Sequence, residues 1–453
     1  MSNSVASNRS ATTAGIDSAK VEALDTVELG WQHKALPASS HGMSAGAYVG
    51  SGVALSNFQT PLVTLDADAM DANAEKMATW CAAHGVLLAP HGKTTMAPQL
   101  WREQLDAGAW GITLANASQL RVGHAFGLRR VMVANSLTDP QAITWLAAAQ
   151  GPDFSVVSWV DSMETVALQE TVLTRVSGTV PLLDVIVELG AAGGRTGART
   201  VAEALEVARA VNAATHLRLV GVGGYEGSLA HTADADALTA VRRYLGNIKE
   251  LHEQFLAQDL YAAGADVIVT AGGSAYFDDV VSVLGDCAVT ASTSGPERVD
   301  VIIRSGAYMV HDDGFYRGIS PFSRADQETS GQAPFLSAMH AWARVVSRPE
   351  PGLAILDAGK RDMPVDEGLP EPQLLARSLG GEASALAGAS ISAVNDQHCF
   401  LRFDPATTTV NIGDVLRLGL SHPCTAFDKW TLIPVLANSG TDYRVVDLIH
   451  TFF

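Results

Sequence analysis

The sequence predicts a (β/α)8 barrel followed by a mainly-β domain, and three observations support this fold class. Between residues 86 and 304, short apolar runs alternate with Ala-rich stretches of helical period, which indicates a parallel sheet covered by helices. Eight apolar runs can be counted, and eight strands close such a barrel. After about residue 320, short apolar segments separated by Gly, Pro and Asp replace this alternation, as in a β domain. An open, doubly wound sheet is the alternative, because periodicity does not determine closure.

The predicted barrel strands share a short apolar run that ends in a Gly-rich or polar turn. They cover residues 86–89, 112–114, 131–134, 155–160, 183–188, 217–222, 267–270 and 299–304. Between them we expect helices, including 68–84, with Asp68 as its N-cap, and 201–214. Later strands are predicted at 342–346, 353–356, 389–394, 399–403, 415–418 and 430–435. We therefore divide the chain into a partly mobile leader and N-terminal segment (1–54), the barrel (55–322) and the β domain (323–453). Residues 1 to about 28 should form a mobile lead-in that is too polar and small to pack on its own.

The composition is typical of a cytoplasmic protein that acts on small molecules. With 453 residues and 47% hydrophobic side chains, the chain can bury sizeable cores. A net charge of -18 and a pI near 5.0 argue against nucleic acids and anionic membranes as partners. No apolar run reaches the ~20 residues of a membrane span, and the N-terminal region lacks the pattern of a secretory signal. Four cysteines in so long a chain do not indicate a disulfide framework.

Polar side chains follow the predicted strands, at the edge where (β/α)8 barrels carry their reactive groups. The first strand is followed by His91 and Lys93. A lysine there can act as an amine nucleophile if desolvation or a neighbouring cation lowers its pKa. Considered alone, Lys93 could equally be a surface lysine in a loop. Later strand ends supply Asn116, Asn135, Arg195, Tyr225, His231, Arg304 and Tyr308.

The turn after the seventh strand, Ala271-Gly272-Gly273-Ser274, has the composition of a phosphate site. Glycines let backbone N–H groups converge on an anion, and the serine adds a hydroxyl. Taken alone, such a turn is more often just a tight turn. Here it shares one predicted rim with a lysine, two arginines and a tyrosine, which together indicate a phosphorylated cofactor that forms a Schiff base. This combination points to pyridoxal 5'-phosphate (PLP).

Five short blocks of the sequence resemble the signature motifs of fold-type III PLP enzymes. They are Pro90-His-Gly-Lys-Thr, Gly194-Arg-Thr-Gly, Gly224-Tyr-Glu-Gly with His231, Ala271-Gly-Gly-Ser and Ile303-Arg-Ser-Gly-Ala-Tyr. Within this class the chain resembles the D-threonine aldolase / D-serine dehydratase family, and more closely its longer bacterial members described as amino acid deaminases. The similarity extends from about Leu55 to the C-terminus. The lysine block continues as Lys93-Thr94-Thr95, whereas the family more usually has Lys-Thr-His.

The resemblance implies an alanine racemase-type barrel with a C-terminal β domain, a homodimer, and a D-amino acid as substrate. By position it implies Lys93 as the Schiff-base lysine, with Arg195 and His231 as the other catalytic candidates. It further implies cofactor contacts from Arg195, Tyr225, Gly272, Gly273, Ser274, Gly306 and Tyr308.

A second motif, His422-x-Cys424, follows the predicted strand at 415–418. An imidazole nitrogen and a thiolate suit a borderline-soft ion such as Zn²⁺, although an isolated His-x-Cys is usually incidental. The resemblance adds weight, because family members carry a metal pair here, His-x-Cys in the dehydratases and His-x-Asp in the aldolases. We therefore expect Zn²⁺, or another divalent metal such as Mn²⁺, at His422 and Cys424. His398-Cys399 is a second possible pair, with His398 expected near the substrate or in a supporting position and Cys399 at the start of a strand.

The combined interpretation is a PLP- and zinc-dependent dehydratase (deaminase) of D-3-hydroxy amino acids such as D-serine, giving a 2-oxo acid and ammonia. Lys93 would take the α-proton, and the metal would act as a Lewis acid on the β-hydroxyl. The nearest alternative is a D-threonine-type aldolase, which gives glycine and an aldehyde. An amino acid racemase, which needs two opposed bases and no metal, comes third. A PLP-binding protein without turnover is an alternative of a different class.

Overall fold

The strands form two sheets in the computed structural model, which describes residues 15–178, 180–288, 296, 298–324, 333–438 and 443–453. The first strands are β1 (Leu62–Asp66), β2 (Leu87–Leu88), β3 (Ile112–Leu114), β4 (Arg130–Ser136), β5 (Ser155–Val160), β6 (Leu183–Glu188), β7 (Leu217–Gly223), β8 (Val267–Ala271) and β9 (Val299–Ile303). They are followed by β10 (Met339–Glu350), β11 (Leu353–Leu356), β12 (Glu371–Ala376), β13 (Ala383–Ala385), β14 (Ser390–Val394), β15 (Cys399–Arg402), β16 (Val415–Gly419), β17 (Leu432–Asn438) and β18 (Tyr443–His450).

The helices lie mostly between the strands of the first sheet. They are α1 (Ser18–Glu22), α2 (Ala45–Gly50), α3 (Ala67–His84), α4 (Pro98–Asp106), α5 (Ala117–Ala125), α6 (Pro140–Ala149), α7 (Met163–Leu173), α8 (Val201–Ala213), α9 (Ala235–Ala257), α10 (Phe277–Leu284) and α11 (Phe315–Ile319). None of the helices in these described ranges combines the length and the hydropathy that a membrane span requires.

Strands β2 to β9 form the predicted parallel barrel, in the order β2-β9-β8-β7-β6-β5-β4-β3. The ring is completed between β2 and β3. There the Trp110 N–H donates to the Leu88 carbonyl at 2.7 Å and the Thr113 N–H donates to the Pro90 carbonyl at 2.9 Å. His91 also pairs in parallel with Thr113. The barrel is therefore confirmed, and the open doubly wound sheet is not formed.

Each of the eight strands predicted for the barrel corresponds to an observed barrel strand. The observed and predicted ends differ by no more than a few residues. Helix α3 also matches its prediction, but its N-cap is Asp66 and not Asp68. The Asp66 carboxylate accepts the Ala69 N–H at 2.9 Å, because a cap bonds the N–H three residues ahead. The helix ends at Gly85, which adopts the left-handed conformation with φ 64°.

The second sheet is mainly antiparallel and is built from β1 and β10 to β18. All six strands predicted after residue 320 are present, and β12, β13 and β18 add to them. Strand β1 pairs antiparallel with β10 and parallel with β17. This strand lies within the range predicted for the barrel but belongs to the other sheet, so the chain crosses between the two sheets before the barrel begins.

The described part of the leader packs against the barrel. The Arg129 N–H donates to the Gly15 carbonyl at 3.0 Å, and the Asp17 N–H donates to the Phe126 carbonyl at 3.1 Å. Val21 is fully buried. Residues 15–28, which were expected to be too polar and small to pack on their own, thus pack where the barrel supplies the opposite surface. Residues 1–14 lie outside the described residues.

Candidate active site

A cavity of about 480 Å³ lies at the carboxyl ends of the barrel strands and is bordered by the loop that follows β16. It brings together most of the residues that the sequence nominated. The predicted site residues that line it are Lys93, Arg195, Tyr225, His231, Gly272, Gly273, Ser274, Gly306, His422 and Cys424. The catalytic, cofactor and metal candidates thus share one space, although they come from two sheets.

Three residues that the sequence analysis proposed for the site do not line this cavity. Tyr308 is buried in the core, where its ring lies 6.2 Å from that of Phe335 and its hydroxyl hydrogen-bonds Gln104, so the structure does not bring it to the cavity. His398 is exposed in the turn between β14 and β15 and does not line the cavity, whereas Cys399 begins β15 as expected. Asn116 caps helix α5 and accepts the Gln119 N–H. Asn135, in contrast, lines the cavity.

Lys93 lies in a tight helical turn directly after β2. Gly92 allows this turn, because a Cβ there would lie 2.7 Å from both Ile112 and the Trp101 indole nitrogen. Partial burial lowers the pKa of Lys93; the nearby Cys424 opposes this shift and the Arg195 charge adds to it. The free amine is therefore more accessible here than on an exposed lysine, as a Schiff-base lysine requires.

His91 lines the same cavity as Lys93 and has a buried Nδ1 atom with no hydrogen-bond partner among the described residues. Burial, together with the charges of Lys93 and Arg304, holds the pKa of His91 well below its usual value, so the ring is neutral. Gly306 packs directly against it, since a Cβ on Gly306 would lie 2.6 Å from the His91 carbonyl oxygen. A buried nitrogen without a partner close to Lys93 fits a site that receives a polar ligand.

Arg195 and Tyr225 lie together after β6 and β7. The Arg195 guanidinium carbon is 5.2 Å from the centre of the Tyr225 ring, a cation–π arrangement. Burial and the neighbouring Glu226 raise the pKa of Tyr225 to about 12, so its hydroxyl stays protonated near neutral pH. Next to Arg195, the Thr196 hydroxyl donates to Glu188 at 2.8 Å. Burial raises the pKa of Glu188 to about 7.

In the glycine turn predicted to hold a phosphate, the backbone N–H groups already bond the side chain of Glu226. The N–H groups of Gly272 and Gly273 donate to the Glu226 carboxylate at 2.9 and 2.8 Å. Gly272 needs to be a glycine because its φ is +99°. A Cβ on Gly273 would lie 3.0 Å from the Tyr225 ring. The absence of a side chain at Gly273 therefore leaves space beside that ring. A phosphate at Gly272 and Gly273 would therefore have to share these donors with Glu226, a residue that the sequence did not nominate.

Arg304, which follows β9, hydrogen-bonds the carboxyl ends of β7 and β8 at the base of the cavity. It is 3% exposed, and it donates to the Thr270 hydroxyl at 2.6 Å and to the Gly224 carbonyl at 2.7 Å. Its guanidinium carbon lies 4.8 Å from the centre of the Trp159 ring. Because its donors are directed at the protein, Arg304 stiffens the base of the site and supplies positive charge to it.

The predicted metal pair lies where the second sheet meets the lysine turn. The Cys424 Sγ is 3.4 Å from the Thr94 hydroxyl, and the His422 Nδ1 is 2.7 Å from an Asp366 oxygen. Burial alone would lower the pKa of His422, but its hydrogen bonds to Cys424 and Asp366 raise it to about 9. Glu367 is close by, and one ligand atom each of Asp366, Glu367 and His422 lie within 4.8 Å of one another.

The residues present fit both groups that the sequence implies. Nitrogen and sulfur donors together with nearby carboxylates suit a divalent cation of the zinc type. For PLP, the site offers a half-buried lysine with a lowered pKa, an orphaned His91 nitrogen and space left by two glycines. Sequence reasoning missed Glu226, Asp366, Glu367 and Tyr316, which lines the cavity beside His422.

Comparisons with known proteins agree with this arrangement. The family model "Putative serine dehydratase domain" matches residues 338–436. The chain is 26% identical to D-threonine aldolase from Arthrobacter sp. over 376 residues, which cover 83% of this chain and 88% of that protein. It is 25% identical to D-threo-3-hydroxyaspartate dehydratase from Delftia sp. (strain HT23) over 407 residues, which cover 85% and 96% of the two chains.

Solved structures show the same fold. A D-threonine aldolase from Filomicrobium marinum superposes with a TM-score of 0.71 at 22% identity, covering 88% of this chain and 97% of that one. A variant of D-threo-3-hydroxyaspartate dehydratase gives 0.70 at 20% identity and covers 90% and 98%. Alanine racemase from Bacillus anthracis gives 0.55 at 15% identity and covers 86% and 98%. The predicted resemblance and the predicted barrel type are thereby confirmed.

Proposed function

We propose that this chain, which is related to D-threonine aldolases and D-3-hydroxyaspartate dehydratases, is a PLP- and metal-dependent lyase of D-3-hydroxy amino acids. The observation that carries the proposal is the single cavity in which Lys93 and the pair His422 and Cys424 meet. A lysine amine and a metal site that meet in one cavity can act on adjacent carbon atoms of one substrate.

The lysine side of the cavity and the metal pair have separate tasks. Lys93, Arg195 and Tyr225 would hold PLP, which when bound supplies an electron sink for the charge left at the α-carbon. The Lys93 Nζ is the base for the α-proton, because its lowered pKa favours the amine near neutral pH. The planar guanidinium of Arg195 suits a carboxylate or the cofactor. His422 and Cys424 would hold a divalent metal that supplies Lewis acidity toward the β-hydroxyl.

Among lyases, we favour a dehydratase that converts D-serine or a related D-3-hydroxy amino acid to a 2-oxo acid and ammonia. The His-x-Cys spacing supports this choice. D-threo-3-hydroxyaspartate dehydratase has been solved as one variant that replaces a histidine and as another, metal-free, that replaces a cysteine two residues further on. That is the spacing of His422 and Cys424, with Zn²⁺ as our first choice of metal.

An aldolase that splits a D-threonine-like substrate into glycine and an aldehyde is the second candidate. It is favoured by the 26% identity to D-threonine aldolase and by the carboxylates of Asp366 and Glu367 near His422. These oxygen donors would suit a harder metal.

Product identification separates the two. Purified, PLP-loaded protein should convert D-serine to pyruvate and ammonia faster than it converts D-threonine to glycine and acetaldehyde. Glycine and acetaldehyde as the dominant products would replace the dehydratase by the aldolase. If neither substrate turns over, 3-hydroxy-D-aspartate should be tried, and failure there would refute the lyase proposal.

A further inference from the structure

Asp366 connects both ends of the turn that carries the metal pair. This residue lies in the loop between β11 and β12, on a part of the chain distant in sequence from the turn. One of its oxygens lies 2.7 Å from the His422 Nδ1, and the other accepts the Thr425 hydroxyl at 2.6 Å. Because Cys424 lies between these two partners, the Asp366 carboxylate fixes the backbone turn as well as the imidazole.

The contact also determines which nitrogen of His422 remains free. With Nδ1 engaged by a carboxylate, a neutral ring would carry its proton on Nδ1, which leaves Nε2 as the nitrogen that can face a metal. Metal-binding histidines typically donate their other ring N–H to such a carboxylate, which sets the tautomer and the ring orientation. The rings of Tyr316 and Phe315, at 5.9 and 6.5 Å, border the imidazole and restrict its rotation.

We infer that Asp366 is a positioning residue for the metal, which holds His422 in the tautomer and orientation that binds the ion together with Cys424. This inference rests on the metal role proposed above. It adds a residue 56 positions from His422 in the sequence, outside the His-x-Cys motif.

A different arrangement, in which Asp366 and Glu367 are themselves ligands, is suggested by their oxygens, which lie within 4.8 Å of a His422 nitrogen. Two contacts argue against it. Both Asp366 oxygens already take part in short hydrogen bonds within the turn. Direct ligation by Asp366 would make one of these oxygens serve the metal and a hydrogen bond at once, whereas ligation by His422 and Cys424 leaves both bonds unshared.

The test is the zinc affinity of the PLP-loaded protein, measured by competition with a chromogenic chelator. Asp366→Asn should weaken zinc binding about 10- to 100-fold, the usual effect of removing such a supporting carboxylate. The absorbance of bound PLP should not change, because the Asp366 oxygens bond His422 and Thr425 and not Lys93. Asp428→Asn is a matched control, since Asp428 is 41% exposed against 40% for Asp366 and pairs with Lys429. Its zinc affinity should equal that of the wild-type protein.

Two further measurements separate a positioning role from direct ligation and from collapse of the turn. Glu367→Gln should weaken zinc binding much less than Asp366→Asn; an equal loss would show that carboxylates are ligands and would overturn the inference. In the Co²⁺-substituted protein, Asp366→Asn at saturating metal should keep the thiolate-to-cobalt absorption of Cys424, and its loss would mean that the turn itself has collapsed and would also overturn it. Wild-type zinc affinity in Asp366→Asn would refute the positioning role of Asp366 and leave the proposed metal role standing. A wild-type protein that binds no divalent metal would refute the proposed metal role first.

Discussion

Gly306→Ala should disturb the lysine turn through its contact with the His91 backbone. A Cβ on Gly306 would lie 2.6 Å from the His91 carbonyl oxygen and 2.9 Å from the His91 Cβ. Extending the first contact to the 3.4 Å of an ordinary one requires a shift of about 0.8 Å, and a misplacement of about 1 Å can lower a rate roughly 100-fold. Overpacking of this kind also costs about 1–3 kcal/mol of stability. Because Lys93 is two residues from His91, we expect kcat to fall about 10- to 100-fold.

The assay is steady-state turnover of the substrate identified by product analysis, together with PLP titration by absorbance. Gly246→Ala is the control, since Gly246 lies inside helix α9 and a Cβ there has no heavy atom within 4 Å. That substitution should leave kcat unchanged and raise the stability slightly, because alanine favours a helix over glycine by about 1 kcal/mol. A Gly306→Ala protein with wild-type kcat and PLP affinity would refute the argument that this contact positions the lysine turn.

Three further predictions concern single side chains of the site. Borohydride should fix PLP on Lys93, and Lys93→Ala should lose both the fixed adduct and turnover; a label on Lys360 would contradict the assignment. Arg195→Lys should lower kcat/KM about tenfold or more, because an ammonium cannot replace a planar, charge-assisted contact worth about 1.5–3 kcal/mol; unchanged kcat and KM would limit Arg195 to a structural role. Burial raises the pKa of Glu188 from 4.5 to about 7, so the folded state binds the extra proton between those values and loses stability as the pH rises through them. Glu188→Gln should therefore raise the Tm, relative to wild type, more at pH 8 than at pH 5, and a difference that does not grow with pH would contradict this.

Much of the fold and part of the site could be predicted because they depend on local patterns. Apolar runs and glycine-rich turns were enough to locate the barrel strands in the sequence. The carboxyl ends of parallel strands meet at one rim of the barrel. This geometry is enough to place Lys93, Arg195, Tyr225 and Gly273 around one cavity. The pair His422 and Cys424 was predicted from its motif, but its approach to the lysine turn through Thr94 depends on how the two sheets pack.

The residues that sequence reasoning missed depend on long-range packing. Asp366 meets His422 across 56 residues, and its only local signal was an acid in a loop rich in proline and glycine. Glu226 lay within the Gly224-Tyr-Glu-Gly motif, yet its bonds to Gly272 and Gly273 cross from one barrel strand to the next. Tyr308 was nominated by position, but its side chain packs into the core. Strand position specifies which rim a residue reaches, whereas the direction of its side chain depends on its neighbours.

The central claim is that a Schiff-base lysine and a separate metal site act on one substrate in one cavity, and selective removal of the metal tests it most directly. Treating the PLP-loaded protein with a chelator should abolish pyruvate formation from D-serine while the absorbance of PLP on Lys93 persists. Added Zn²⁺ should restore the activity in the wild-type protein. His422→Ala should resemble the chelated enzyme and should not recover, since one of the two protein ligands is missing. Full activity in a metal-free preparation, or loss of PLP together with the metal, would contradict the account.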